Sequence, residues 1–340
     1  MKRFFTCAAL AAFALLACLT AAAKEPLRFN KDGKLKIVQF TDIHWQYGND
    51  SSLEAERNMN AVLDAEKPDL VVITGDLVYS APARKGIVKA LAPTAERGIP
   101  FLVAYGNHDS DFDATREELF EIISSYPTNY TDSAANLTGV TNCVQEILPS
   151  DGSDKPAALI YIMDSNSYTK VGGVDGYAGF GRDQVEWYGN ESARRTAANG
   201  GEPLPALAFF HVPLSELNEL ASTENALLRG TRRERACTPM TNTGMMAEMV
   251  KCGDVMATFV GHDHINDYCV ASKGILLGYG RYSGGKTVYC DMPGGPGARV
   301  IELKEGERAF DSWIRLADGR VIDVIAYPHD FTRWKASPTE

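Results

Sequence analysis

Short, continuous apolar runs that alternate with amphipathic stretches constrain the fold of this chain most strongly. "LKIVQF" (residues 35–40), "DLVVITG" (69–75) and "PFLVAYG" (100–106) are bounded by turn residues, and sequences with helical periodicity, such as residues 52–68, separate them. Strands that are apolar throughout are buried on both faces, and strands separated by helices pair in parallel. This part of the chain therefore predicts βαβ units with a parallel sheet that is covered on both sides.

The same pattern continues into the second half of the chain. "ALIYIMDS", "PALAFFHVP" and "VMATFVG" indicate further buried strands, with helical stretches between them. After Asp267 the pattern changes to short alternating strands with glycine-rich turns, including the hairpin signal Asp318-Gly319. No interdomain linker or internal repeat interrupts the sequence. Residues 24–340 are therefore predicted to form a single α/β domain with a β-rich C-terminal third.

The first 23 residues indicate a secretory signal peptide. Lys2 and Arg3 precede an apolar stretch at 4–16 that is too short to span a bilayer, and Ala21 and Ala23 give a small-x-small cleavage pattern. We therefore expect an exported protein, periplasmic or secreted. In an alternative interpretation Cys18 becomes the lipid-modified first residue of a surface lipoprotein. No later segment is apolar for long enough to predict a transmembrane span.

Charge and cysteine content narrow the classes of partner. The formal net charge is −10, and it becomes −12 without residues 1–23, which carry two basic and no acidic residues. Such an acidic protein is a poor nonspecific partner for nucleic acid or anionic lipid. The five cysteines beyond residue 23 are an odd number, so at least one thiol stays unpaired in an exported chain. A disulfide between Cys237 and Cys252 is one of several pairings that the sequence allows.

Polar motifs follow five of the predicted strands directly. They are Asp42-Ile43-His44, Gly75-Asp76, Gly106-Asn107-His108-Asp109, His211 and Gly261-His262-Asp263-His264. These motifs contain five of the six histidines of the chain, and open α/β sheets build their sites at the carboxyl ends of the strands. Imidazoles mixed with carboxylates and one amide oxygen suit Zn, Mn or Fe, whereas calcium prefers more oxygens and no imidazole.

The candidate ligands are too many for one ion. There are seven of them: Asp42, His44, Asp76, Asn107, His211, His262 and His264. Two ions about 3.5–4 Å apart that share one bridging carboxylate would use the whole set. In extended backbone the side chains of His262 and His264 point the same way while Asp263 points away, so each histidine can serve a different ion. Each motif alone is typical of a turn or a helix cap, but all five together predict a dimetal centre.

The order D-x-H, G-D-x-x-Y, G-N-H-D, H-V-P and G-H-x-H resembles that of the calcineurin-like metallophosphoesterase superfamily. The chain is most similar to the purple-acid-phosphatase-related branch that lacks an N-terminal β domain, and the resemblance covers roughly Leu35 to Ile325. It implies a central β sandwich of two mixed sheets flanked by helices, with a dimetal centre at the strand ends.

The resemblance also implies roles for individual residues. Asp42, His44 and His264 would bind the first metal, Asn107, His211 and His262 the second, and Asp76 would bridge the two. A metal-bound hydroxide would attack the phosphorus in line. Asn107 and His108 would contact the substrate phosphate, and His108 would protonate the leaving group with Asp109 orienting its ring. The alternative for His108 is a buried histidine with a purely structural role.

Some positions remain open. True purple acid phosphatases carry D-x-G in the first motif, and the tyrosine of G-D-x-x-Y ligates ferric iron; this chain has both His44 and Tyr79, and we favour His44 as the ligand with Tyr79 packing beside it. Arg281 could reach a substrate phosphate or be a surface arginine in a hairpin. Asn242 and Asp164 are more typical of caps or turns.

The sequence thus predicts an exported phosphoesterase with two metal ions, drawn from Fe, Zn or Mn, that hydrolyses phosphate esters. A phosphomonoesterase is favoured over a phosphodiesterase of the same fold. A nuclease is disfavoured because the chain is acidic and lacks a basic face interleaved with aromatic residues. The hypothesis from another class is a noncatalytic surface protein that binds metal or ligand on the same fold.

Overall fold

A computed structural model describes residues 24–222 and 227–332. The predicted signal peptide and Cys18 lie outside these residues. Within the described part of the chain, no helix combines the length and the apolar character needed to cross a membrane.

The described residues form two stacked β-sheets with helices outside them. The strands are β1 (Lys34–Thr41), β2 (Leu70–Thr74), β3 (Phe101–Ala104), β4 (Cys143–Ile147), β5 (Ala158–Ile162), β6 (Tyr168–Val171), β7 (Val174–Tyr177), β8 (Ala206–Phe209), β9 (Leu228–Arg229), β10 (Val255–Val260), β11 (Cys269–Ser272), β12 (Ile275–Tyr279), β13 (Arg281–Tyr282), β14 (Gly297–Lys304), β15 (Phe310–Leu316) and β16 (Val321–Tyr327). The α-helices are α1 (Ser52–Glu66), α2 (Ala83–Ala95), α3 (Arg116–Ser124), α4 (Arg182–Ala198), α5 (Glu216–Ser222) and α6 (Met245–Cys252), and a 3-10 turn follows at His329–Phe331.

Both sheets are mixed. The first has the order β16-β15-β14-β1-β2-β3, with β13 also paired to β1, and the second has the order β4-β5-β8-β10-β12-β11-β9. In the first sheet β1, β2 and β3 are parallel, whereas β14, β15 and β16 form an antiparallel extension. In the second sheet β5, β8, β10 and β12 are parallel. The short hairpin of β6 and β7 stands apart as a two-stranded sheet.

Side-chain alternation along the strands explains the layers. Ile37 and Val72 lie in the core between the two sheets, while their neighbours Val38 and Val71 pack in a second core with residues of α1 and α2. Because successive side chains of a strand point to opposite faces, strands that are covered on both sides are apolar throughout. A third core packs the outer face of the second sheet against α4 and α6. The predicted two-sheet sandwich flanked by helices, with a strand-rich C-terminal region, is confirmed.

The elements that the sequence analysis missed are those without an apolar run. The central residues of β4 are only partly buried, and the hairpin β6–β7 is largely exposed, so neither strand has the continuous apolar pattern of the parallel ones. All five cysteines of the described residues are free, including Cys237 and Cys252, so the disulfide considered above is not formed.

Candidate metal centre

The loops that follow β1, β2 and β10 are tied to one another at one edge of the sandwich. The backbone N–H of Asp42 donates to the carbonyl of Gly75 (3.1 Å), and that of His44 donates to the carbonyl of Asp76 (2.8 Å). From the second sheet, the N–H of His262 donates to the carboxylate of Asp42 at 3.1 Å. Side chains from both sheets are therefore held at a common site.

Four residues of this site have left-handed backbone conformations. The φ angles are 54° for Asp42, 46° for His44, 53° for Asp76 and 80° for His262. A residue with a side chain in this region costs about 1–3 kcal/mol, and such strain is concentrated at functional sites. The loops must turn this sharply for the carboxylates and imidazoles to point toward one another, a feature that no sequence pattern indicated.

Two glycines allow the loops to approach so closely. A Cβ atom on Gly106 would overlap the carboxylate of Asp76, and one on Gly261 would overlap the hydroxyl of Thr41 and lie 2.7 Å from Oδ2 of Asp42. Neither space could be freed without moving a candidate ligand. Gly261 therefore allows the backbone before His262 to approach the loop of Thr41 and Asp42 closely.

A first group of donor atoms surrounds one point. Nε2 of His44 lies 3.0 Å from Nε2 of His264 and 3.4 Å from Oδ2 of Asp76. Oδ1 of Asp42 lies 3.9 Å from Nε2 of His44 and 3.6 Å from Nε2 of His264. All four residues are buried, and their donor atoms lie within 4.8 Å of one another. This is the set that the sequence analysis assigned to the first metal, together with the bridging carboxylate.

A second group adjoins the first and shares one atom with it. Nε2 of His211 lies 3.1 Å from Oδ1 of Asn107 and 3.3 Å from Nδ1 of His262. The same Nε2 atom lies 3.2 Å from Oδ2 of Asp76. Oδ2 of Asp76 therefore belongs to both groups, which is the position of a bridging ligand.

Hydrogen bonds outside the centre fix which atom His211, His264 and Asn107 present. Nδ1 of His211 donates to the carbonyl of Thr74 (2.7 Å), and Nδ1 of His264 donates to the carbonyl of Tyr289 (2.9 Å). Each N–H is thus held by a backbone carbonyl, so the lone pair of Nε2 faces the centre. The amide nitrogen of Asn107 donates to the hydroxyl of Tyr168 at 2.9 Å, which leaves Oδ1 of Asn107 facing His211.

The electrostatics of the centre suit cations. Burial holds the pKa of His44 and of His262 well below the usual value, so both imidazoles are neutral. Burial alone would raise the pKa of Asp76, but the adjacent imidazole of His211 outweighs burial and holds the pKa well below its usual range. Oδ2 of Asp76 is buried without a hydrogen-bond partner in the described structure. An unpartnered carboxylate oxygen buried among imidazole nitrogens fits two metal ions with N and O ligands.

His108 stands beside the centre. Its backbone N–H donates to Oδ1 of Asp76 at 2.9 Å, while its side chain is 27% exposed, so a buried structural role does not describe it. Nδ1 of His108 lies 2.6 Å from Oδ2 of Asp111 and 3.2 Å from the hydroxyl of Tyr168. The carboxylate beside the imidazole is thus three residues along the chain, in a loop for which the motif predicted no such residue.

Asp109 does not orient His108, and that prediction is wrong. The carboxylate of Asp109 is fully buried and accepts backbone N–H groups of Gly106 (2.8 Å), Asp76 (3.0 Å), Leu77 (2.7 Å) and Val78 (3.2 Å). Since it accepts amides from the loops after both β2 and β3, it holds these loops together. Asp109 therefore positions the backbone of Asp76 and contributes nothing to the ring of His108.

The prediction that Arg281 contacts substrate is also wrong. The side chain is completely buried, and Nη1 forms an ion pair with Oδ2 of Asp267 at 2.6 Å. Its remaining N–H groups donate to the carbonyls of Gly295 and Pro293. A guanidinium with all its directions occupied by the protein cannot turn toward a phosphate.

Aromatic rings pack around the imidazoles of the centre. Tyr79 is edge-on to His44, with ring centroids 5.4 Å apart, and to His108 at 4.8 Å. Tyr177 is edge-on to His262 at 4.2 Å, and Tyr289 stacks on His264 at 4.3 Å. Tyr79 thus packs in the place that the sequence analysis favoured for it, but Tyr168, Tyr177 and Tyr289 carried no motif that could have identified them.

The two weaker candidates have structural partners. Asp164 is buried, pairs with Arg116 at 2.7 Å and accepts the N–H of Val140 at 2.9 Å. Asn242 accepts the N–H of Gly244 at 2.9 Å in a turn just before α6. Both contacts agree with the cap or turn roles that the sequence favoured.

Comparison with known families agrees with this geometry. The family described as calcineurin-like phosphoesterase matches residues 35–266, the range that holds all seven candidate ligands. The chain belongs to the calcineurin-like phosphoesterase family. Membership confirms the predicted superfamily and the enzyme class of a metal-dependent phosphoesterase.

Individual relatives place the chain within the family. It is 32% identical to "Probable inactive purple acid phosphatase 29" of Arabidopsis thaliana, with 90% of this chain and 92% of that protein covered. It is 30% identical to Phosphatase DCR2 of Saccharomyces cerevisiae, with 86% of this chain but 55% of that protein covered. A dimetal phosphatase from Danio rerio has a similar fold, with a TM-score of 0.59 at 13% identity over 86% of this chain and 98% of that one. The predicted purple-acid-phosphatase-related branch is confirmed.

Proposed function

We propose that this member of the family is an active dimetal phosphoesterase that hydrolyses phosphate monoesters. The observation that carries the proposal is Oδ2 of Asp76, which is shared by two groups of buried donor atoms with His108 adjacent to both. When bound, two metal ions would supply positive charge to the phosphate and lower the pKa of a water molecule. The residues of the chain would hold the ions, orient the ester and deliver a proton.

His108 is the proposed proton donor to the leaving group. Asp111 engages Nδ1 of its imidazole, so Nε2 is the nitrogen available to the departing ester oxygen. The carboxylate orients the ring. The side chain of His108 is partly exposed, so it can contact the substrate. The side chains of the candidate ligands His44 and His211 are buried and cannot.

Aromatic rings cover three imidazoles of the centre, and this covering favours monoesters over diesters. The rings of Tyr79, Tyr177 and Tyr289 pack on His44, His262 and His264, respectively. His108, at 27% exposed, is more open than the four histidine ligands, so one organic substituent extends on its side of the centre. A diester would need room for a second substituent.

Several relatives are called probable inactive purple acid phosphatases, which makes a noncatalytic metal-binding protein the second candidate. The two candidates differ in one measurement. Purified protein is loaded with Zn, Mn or Fe, its metal content is determined, and phenyl phosphate and diphenyl phosphate are assayed across pH. We expect two metals per chain, hydrolysis that favours the monoester, and loss of about 10²–10⁴-fold in kcat for His108→Gln. Two bound metals without hydrolysis in any condition would favour the binding protein.

The same preparation tests Tyr79. Tyrosinate bound to Fe(III) gives a visible charge-transfer colour, so a colourless iron-loaded protein is the expected result if His44 is the ligand and Tyr79 only packs beside it. A coloured protein that bleaches in Tyr79→Phe would reverse this assignment.

We also propose that the protein is exported, on the basis of residues 1–23 alone. Mass analysis of the mature chain tests this proposal. A chain that begins at Lys24 is the expected product, one that begins with a lipid-modified Cys18 is a lipoprotein, and an intact Met1 terminus would contradict export.

A further inference from the structure

Two partly exposed aromatic side chains lie near His108, the proposed proton donor: Tyr168 contacts it directly, and Phe112 contacts it through the ring of Tyr79. Tyr168 is 50% exposed and Phe112 is 44% exposed, although both lie beside a buried polar centre. The ring of Tyr168 lies 6.2 Å from the imidazole of His108, and Phe112 packs edge-on against Tyr79, which in turn packs on His108. Aromatic surface that is held rigidly and left open to solvent beside a site is typical of a binding surface.

Tyr168 is fixed at both ends. Its hydroxyl accepts the amide of Asn107 and lies 3.2 Å from Nδ1 of His108, and its ring lies 5.9 Å from that of Tyr177 on the partner strand β7. A side chain that is held in this way loses little conformational entropy when it binds a ligand. The hairpin β6–β7 therefore presents one ring face beside the leaving-group side of the centre.

Phe112 also borders a cavity formed by its own loop and the start of α3. A cavity of about 460 Å³ is lined by the segment from Ser110 to Glu118, which includes Phe112. The cationic side chain in this lining, Arg116, is committed to the carboxylate of Asp164 and the carbonyl of Gly106. The carboxylates of Asp113, Glu117 and Glu118 also line the space, so it favours an uncharged group over a second phosphate.

From this arrangement we propose that the substrate is a phosphate monoester whose leaving group carries a flat, uncharged aromatic or heteroaromatic ring, bound by Tyr168 and Phe112. The inference rests on the proposed function, because it assigns the leaving group to the side of His108. Stacking on one or two rings provides affinity without a charged contact, and it tolerates different ring systems because each has a π face. Tyr168 and Phe112 are thus specificity-determining residues.

Binding gives the first test, and it does not depend on turnover. Benzylphosphonate is the nonhydrolysable methylene analogue of phenyl phosphate, and ethylphosphonate has the same reacting group without the ring. We expect the metal-loaded protein to bind benzylphosphonate about tenfold more tightly than ethylphosphonate, as measured by calorimetry. This ratio of affinities is consistent with the stacking of one ring. Phe112→Ala and Tyr168→Ala should reduce this ratio toward one, whereas Tyr168→Phe should retain it because the ring remains.

Kinetics give the second test with leaving groups of matched basicity. Adenosine 5′-monophosphate and ribose 5-phosphate both release a primary alcohol, so a difference in kcat/KM reports on the ring. The kcat/KM for adenosine 5′-monophosphate should be about tenfold higher than that for ribose 5-phosphate. This ratio should fall in Phe112→Ala. The control variant is Val324→Ala, an exposed side chain (67%) on β16 at the far end of the first sheet, and it should not change the ratio.

The outcomes separate the two proposals. Equal affinity for the two phosphonates, or a ratio that persists in both alanine variants, overturns the ring-binding inference even if both phosphates are hydrolysed. Selective binding of benzylphosphonate without hydrolysis of any ester supports the ring-binding surface while the proposed catalytic function fails.

Discussion

Two buried groups of charged residues in this protein differ in how their hydrogen-bonding capacity is met. The metal centre, formed by the seven candidate ligands, brings two carboxylates and four imidazoles together with Oδ2 of Asp76 unpartnered. The second group, which we call the arginine cluster, consists of Asp267, Arg281 and Arg299, and each of its members is also almost completely buried. Burial of charge is therefore common to both groups, and it does not by itself mark a functional site.

In the arginine cluster donors and acceptors are matched. Arg281 binds the carboxylate of Asp267 at 2.6 Å, and Arg299 donates to the carbonyl of Asp267 (2.5 Å), the carbonyl of Tyr279 (2.5 Å) and the hydroxyl of Ser312 (3.1 Å). These contacts join β13 and β14 to the segment before β11. A buried ionic group whose directions are all met by protein holds the fold and has no capacity left for a ligand.

In the metal centre three buried polar atoms have no hydrogen-bond partner among the described residues: Oδ2 of Asp76, Nδ1 of His44 and Nε2 of His262. Its backbone is strained at four positions, whereas no member of the arginine cluster has a positive φ. Strain and unpartnered buried polar atoms both make the isolated protein less stable, and a fold retains them when a ligand restores the balance. Unpartnered buried polar atoms and backbone strain, more than burial or charge, therefore distinguish the candidate metal centre from the structural ion cluster.

The largest expected effect is that of Asp76→Asn. It replaces the shared oxygen with an amide that cannot bridge two cations, so we expect loss of metal binding and at least a thousandfold lower kcat/KM, about 4 kcal/mol in transition-state stabilisation. Since the pKa of Asp76 is held well below its usual range, its carboxylate contributes to the stability of the metal-free fold, and the metal-free variant should lose only modest stability in urea. Strong destabilisation of the metal-free variant would mean that Asp76 is structural, and the contrast with the arginine cluster would disappear.

Asp267→Ala should have the opposite effects to Asp76→Asn: lower stability with metal binding and activity retained. It leaves the buried guanidinium of Arg281 without its counterion, so we expect the free energy of unfolding to fall by about 3 kcal/mol. The metal content and kcat of the folded fraction should stay within about threefold of the parent. Measurement of urea unfolding alongside metal content checks both parts, and a variant that is stable but inactive would show that the arginine cluster acts on the centre.

The next largest expected effect is the loss of stability when the metal is removed. If the centre is completed by two ions, each should stabilise the fold by RT ln(1 + [M]/Kd), or about 2.7 kcal/mol at a concentration of one hundred times Kd. Thermal unfolding with and without a chelator measures this difference, and re-addition of the metal must restore it. Asp267→Ala should show the same metal-dependent increment as the parent, while Asp76→Asn should show little of it. An unchanged melting temperature on chelation would contradict a metal-completed centre.

The ligand set could be predicted from the sequence because its signals are local. Apolar strands are recognisable by composition, and a polar residue directly after such a strand lies at the edge where parallel strands end. Asp42, Asp76, Asn107, His211 and His262 each follow a strand in this way, and the structure brings them together with His44 and His264.

The surroundings of the centre could not be predicted because they depend on long-range contacts. Tyr168 reaches Asn107 from 61 positions away, and Tyr289 holds His264 through a backbone carbonyl, which has no sequence signature. Adjacent positions in a loop also point in different directions, so the motif suggested Asp109 beside His108 where the folded loop places Asp111. Arg281 was misjudged because its partner Asp267 is identifiable only in the folded chain.

The smallest predicted effect concerns the two carboxylates of the loop after β3, Asp109 and Asp111. Asp111→Asn retains an oxygen that can accept from Nδ1 of His108 but replaces the charged acceptor that orients the ring with a weaker one, so we expect about a tenfold lower kcat for alkyl phosphates. The effect should be smaller for p-nitrophenyl phosphate, whose leaving group needs little proton transfer. Asp109→Asn is the matched variant: it weakens the acceptance of four backbone N–H groups and should lower stability without this dependence on leaving group. Equal effects of Asp111→Asn on both substrates would place Asp111 among the residues that hold the fold, with Asp109, and would leave His108 without a carboxylate partner in catalysis.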